Sequence, residues 1–235
     1  MDITRSTGQA TVVASASAEE RRLFLRRVYG HLALATAGFV AVEAGLQALP
    51  FSLDIARKMT GSGVTWLLVI LAFSALGAVA SRWAGPGQPL SQQYLGLSLY
   101  TAGQAIIFLP IIAYARLSDP DALVIAGVLT LAVGVGLSLI ALDPSTSFGF
   151  LRSALLIGGA VALGVIVVAL LFGLSLGAWF SLAMIVFFAG SILYQTDQLT
   201  RTHRIDAYVS GALSLFASFM GLLWYVLRLV LGQRR

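Results

Sequence analysis

Residues 191–199, SILYQTDQL, close a long apolar run with tyrosine, glutamine, threonine and aspartate, and after the loop THRID at 202–206 a second apolar run begins. Whether that break is a loop of a water-soluble domain or the end of a membrane span depends on what surrounds it. The chain has 235 residues, 58% apolar and 11% charged, whereas about a quarter of a soluble domain is charged because its surface faces water. Most of the solvent of this chain is therefore lipid. Charge-poor stretches of at least ~18 residues, enough to cross a hydrocarbon core as a helix, recur at 29–49, 64–81, 94–115, 121–142, 152–172, 176–194 and 207–230. The reading is an all-α polytopic membrane protein with seven transmembrane helices. Between the fifth and sixth spans, LFGLSLGAW at 171–179 offers Gly173 and Gly177 as turn signals and predicts a tight hairpin. Segments of about ten alternating residues, the mark of a transmembrane barrel, are absent.

Working outward to the N-terminus, residues 1–20 read as a disordered cytoplasmic tail and 21–235 as the seven-helix domain. Residues 17–29 read SAEERRLFLRRVY; Ser17 with Glu20 three residues on makes a capping box, and Arg21, Arg22, Arg26 and Arg27 precede the first span. With the N-terminus inside, nine Lys/Arg fall on its side (Arg5, the four just named, Arg82, Arg152, Arg201, Arg204), against six opposite (Arg57, Lys58, Arg116, Arg228, Arg234, Arg235). Cations concentrate on the cytoplasmic side and the first span dominates, so the N-terminus is placed in the cytoplasm and the C-terminus outside. The net charge of +5 thus orients the chain in a lipid bilayer, and nucleic acid is not an expected partner.

Ionisable and amide groups inside spans are expensive and mark sites. The first span holds Glu43. Its seven aliphatic and phenylalanine side chains between 31 and 50 contribute about 0.3 to 0.6 kcal/mol each to insertion, against about 3 for a central charge. The span is marginal alone, so Glu43 is expected off-centre, protonated or against a polar partner. Thr36, Glu43 and Gln47 fall on one stripe, while Ala33, Ala37, Ala41 and Gly45 form a separate ridge of small residues, suited to internal packing or to a dimer. In the third span Thr101 and Gln104 share a face, with Gln104 expected to hydrogen-bond between helices. Glu43, Gln104 and Asp197 are the candidate members of an ion path.

The sixth span places Ser181, Met184, Phe188, Ser191 and Gln195 on one stripe, and the seventh places Gly211, Ser214, Ser218 and Gly221 on another. Two small, polar faces joined by a short loop are expected to pack together, with Gln195 able to hydrogen-bond a serine across the contact. Tyr194 marks the interface, and Asp197 reads as a solvated end residue.

Several chemistries are excluded. The only lysine is Lys58, in the first loop, so no span offers a Schiff-base amine; the two histidines, His31 and His203, are far apart in sequence, and cysteine is absent, so a metal site is not expected. No span carries the aspartate pair of an intramembrane protease or a serine with a nearby base. An enzyme is not expected, nor a cofactor.

ILYQTDQL at 192–199, followed by AYVSGALSLFASFMGLLWYVLRL at 207–229, resembles the C-terminal signature of the Bax inhibitor/YccA family, also called the transmembrane Bax inhibitor motif family; LRRVYGHLALATA at 25–37 and STSFGFLRSALLIGGAVALGVIV at 145–167 are similar to it as well. The resemblance covers nearly all of 20–231, its last third being the specific part. It implies six helices around a central seventh and a pH-sensitive calcium leak gated by paired aspartates on the last two helices. By motif those aspartates fall on Gln195 and Ser218, and both carboxylates are missing. Neither residue titrates near neutral pH, and calcium prefers several oxygens with negative charge among them. The resemblance therefore implies a calcium or proton leak with altered or absent pH gating, its sixth and seventh helices held by a Gln195 bond to Ser214 or Ser218. The YccA branch, which has serine at the second position, implies instead a bacterial inner-membrane modulator or slow substrate of the ATP-dependent protease FtsH, for which an extractable N-terminal tail would matter.

Overall fold

A computed structural model describes residues 12–233. Eight α-helices follow one another: α1 (Ala18–Ala48), α2 (Ser52–Thr60), α3 (Gly63–Trp83), α4 (Leu90–Ser118), α5 (Asp121–Ala141), α6 (Leu151–Phe172), α7 (Ala178–Arg201) and α8 (Tyr208–Gln233). All but α2 are long and apolar enough to cross a membrane, and no strand forms among the described residues. The seven expected spans are these seven helices, which settles the fold as a multi-pass helical membrane protein.

Local sequence explains the ends. Ser17 and Glu20 form the anticipated capping box, each side chain accepting from the other's backbone N–H. Gly173 ends α6 in the left-handed region at φ 66°, where a Cβ would be strained, and residues 174–177 carry the chain into α7 at Ala178. The unanticipated element is α2, a short amphipathic helix with Asp54, Arg57 and Lys58 in the loop between the first two spans. It was invisible as a span because it is too short and too charged.

The central element is α8, whose buried side chains include Leu215, Phe216, Leu222 and Leu227. Around it pack α1, α4, α5 and α7. The outermost helices are α3, with only Ala80 buried, and α6, with Ala162 and Ala169 buried. Their surfaces, like those of Phe150 and Trp179, are apolar and exposed, as lipid requires. Backbones approach closely where residues are smallest: a Cβ built on Gly134 of α5 would stand 2.4 Å from the ring of Phe219.

The expectation of a disordered tail over 1–20 needs correction in its second half. Residues 13–15 form a 3-10 turn, Val13 is fully buried, its N–H donates to the carbonyl of His203 at 2.8 Å, and Val12 bridges Arg204. Ala18–Glu20 already belong to α1. Residues 1–11 lie outside the described residues.

Candidate functional site

The two stripes read from the sequence do meet. On α8, Gly211 receives Leu199 and Gly221 receives Phe188, both from α7; a Cβ at those glycines would stand 2.5 Å and 2.2 Å from the respective side chains. Between these contacts the helices line a cleft of ≈ 1270 Å³, with Gln195 and Ser191 from α7, Ser218 from α8, and Gln104 with Tyr100 from α4. It extends toward α2 and the α6–α7 turn, where Arg57, Arg228 and Leu176 border it. Arg228 donates to the carbonyl of Leu176, and Arg57 stands 3.9 Å from Asp54.

Gln195 and Ser218 thus share one cavity, yet the hydrogen bond expected between Gln195 and Ser218 or Ser214 is not formed. Gln195 Oε1 is buried without a partner. Ser214 does not line the cleft, and the seam is held by the Leu199–Gly211 and Phe188–Gly221 contacts instead. Gln104 is buried and lines the cleft, but its amide donates to Tyr100 on its own helix at 3.2 Å, not across helices as expected.

Asp197 lies elsewhere, and the expectation of a solvated end residue is wrong. It is 1% exposed, accepting from the Phe148 N–H at 3.2 Å and from Arg201 Nε at 2.5 Å. Arg201 in turn donates to the carbonyls of Thr146 at 2.7 Å and Pro144 at 3.3 Å. The carboxylate and guanidinium together clasp the α5–α6 loop to the end of α7. Burial next to an opposite charge and a backbone donor is what makes an acid tolerable there.

Glu43 also stands apart from the cleft. It is 5% exposed; Gln47 Nε2 donates to its Oε1 at 2.8 Å and to the carbonyl of Leu109 at 3.1 Å, while Arg116 donates to Gln47 Oε1 at 3.3 Å. The expected polar partner is therefore Gln47, with α4 completing the chain. Thr36, placed on the same stripe, bonds to Leu32 of its own helix. Of the three candidates for an ion path, only Gln104 borders the cleft. Among the described residues no group of His, Asp and Glu could hold a metal ion.

The family model described as inhibitor of apoptosis-promoting Bax1 matches residues 21–235. The chain belongs to the Bax inhibitor family. Protein LIFEGUARD 3 of Arabidopsis thaliana is 26% identical over 219 residues, covering 90% of this chain and 85% of its own. Within the Bax inhibitor framework, the α7–α8 seam of this member carries an amide and a hydroxyl, and its buried acid on α7 sits two residues on, turned to the α5–α6 loop.

At the same face, burial holds the His203 imidazole below its ordinary value near 6.5. The opposing influence is its Nδ1 contact with the carbonyl of Gln198, at 3.1 Å. A folded-state value below the unfolded one means that the unfolded loop binds the proton first. The stability tied to neutral His203 is present above about pH 6.5 and is lost as pH falls from there toward the lower folded value. Because the carbonyl of His203 holds Val13, amide exchange at residues 13–16 is expected to accelerate, beyond its intrinsic pH dependence, as pH falls below about 6.5. In His203→Gln that excess should vanish; an identical profile in the variant would detach the docking from this histidine.

Proposed function

We propose that this Bax inhibitor family member is a slow cation leak, for calcium ions or protons, whose conduction does not depend on titration at the α7–α8 seam. The observation that carries the reading is that Gln195 and Ser218 border one cleft together with Gln104 and Ser191, all of them neutral and oxygen-bearing. Such a lining can replace part of a hydration shell but offers no carboxylate to hold a divalent ion. Arg57 and Arg228 also border the cleft and oppose cation entry, so a low calcium flux is expected.

The test is flux into proteoliposomes. Wild type should show a small flux that is flat from about pH 6 to about pH 8, a range in which amide and hydroxyl groups do not titrate. Gln195→Asp with Ser218→Asp should raise calcium flux and make it fall on acidification, because two carboxylates facing one cavity cannot both stay ionised as protons are added. Glu43→Gln should leave the flux unchanged, since Glu43 does not border the cleft. A double variant that folds and conducts no better than empty liposomes would remove the channel reading.

A further inference from the structure

Among the described residues, nothing covers the small-residue ridge on α1. Ala33, Ala37 and Ala41 are exposed, and a Cβ at Gly30 or Gly45 would have nothing within 4 Å. Ala33, Ala37 and Ala41 form one wall of an apolar groove of ≈ 770 Å³ between α1 and α5, with Phe219 of α8 among its lining. Two polar atoms on this groove are orphaned: Tyr29 Oη and Ser138 Oγ are buried without a hydrogen-bond partner, and Ser138 is 3% exposed. A buried hydroxyl left unpaired is costly and calls for a partner.

We infer that this groove is a dimer interface, filled by α1 of a second copy of the same chain. Its lining extends along α1 from Tyr29 to Ala44, about 22 Å at 1.5 Å per residue. A single leaflet of hydrocarbon is about 15 Å deep, so the groove is matched to a transmembrane helix rather than to one acyl chain. The ridge is itself a wall of the groove, so a two-fold axis along the membrane normal buries it in both copies in one contact, with each copy both giving and receiving α1. Alanines at four-residue spacing let the two backbones approach. Toward the N-terminal end the same stripe carries exposed Glu19, Arg22 and Arg26, and a parallel two-fold brings Glu19 of one copy beside arginines of the other.

The chain has no cysteine, which makes the test direct. Single variants Ala33→Cys and Ala37→Cys, reconstituted in bilayers and oxidised with copper phenanthroline, should form disulfide-linked dimers at least ~10-fold more efficiently than Val161→Cys on the lipid-facing side of α6. Two independent positions guard against one variant misfolding. Labelled wild type at high dilution in lipid should photobleach in two steps, and Ala37→Trp, which fills the ridge, should shift the population to one step. Single-step bleaching of wild type at every dilution, or equal cross-linking at Val161, would overturn the interface; flux is not read in any arm, so the outcome is independent of the leak proposal.

Discussion

Asp197→Ala is expected to lower the melting temperature of the detergent-solubilised protein more than Asp197→Asn, Glu43→Gln or His203→Gln. The carboxylate accepts the Phe148 N–H and the Arg201 side chain while 1% exposed. Removing it orphans a loop N–H and opens a small void, together about 2–4 kcal/mol. The loss stays below that of a fully buried charge pair because the Arg201 side chain is 40% exposed and can be hydrated. Asp197→Asn keeps an acceptor for Phe148 and should lose about half as much. Limited proteolysis should report the change first at 143–148, where the clasped loop is released. If Asp197→Ala melts with wild type and that loop stays protected, the clasp contributes nothing to stability.

The second large effect is expected from Gly96→Ala. A Cβ there would stand 2.6 Å from the Ala80 carbonyl oxygen and 2.7 Å from the Ala84 nitrogen. Both are backbone atoms of the α3 end, so no rotamer change relieves the clash and the two helices must part. About 1–3 kcal/mol of destabilisation follows. Gly164→Ala on α6 is the matched control, since nothing lies within 4 Å of its added methyl; there alanine's helix preference should raise stability by up to about 1 kcal/mol. Equal melting temperatures for the two variants would mean that the α3–α4 crossing is looser than its backbone distances imply.

The spans, the capping box at Ser17 and the turn at Gly173 were legible because each is written locally, in hydropathy or in a few adjacent residues. The meeting of the α7 and α8 stripes was legible for the same reason: a short loop and matched spacing leave little choice. Asp197 misled because its setting is not local. An acid at the end of an apolar run looks solvated unless one knows that the loop containing Phe148, 49 residues earlier, folds over it. Gln195 and Ser218 were rightly brought to one cavity, but spacing cannot say whether a side chain reaches its neighbour, and packing by Phe188 and Leu199 keeps the seam without a hydrogen bond. The docking of Val13 was beyond reach because its partner is a main-chain carbonyl, which leaves no mark in the sequence. Glu43 was an in-between case: its own helix announced Gln47, while Leu109 and Arg116 on α4 could not be foreseen.

That last network bears on biogenesis. The acid on α1 is accommodated through Gln47, whose amide is anchored to a carbonyl 62 residues further along. When the first helix leaves the ribosome, its anchor has not yet been translated. Stable insertion of α1 is therefore expected only once α4 has emerged to lock it, and Glu43→Leu is expected to let the first helix commit early.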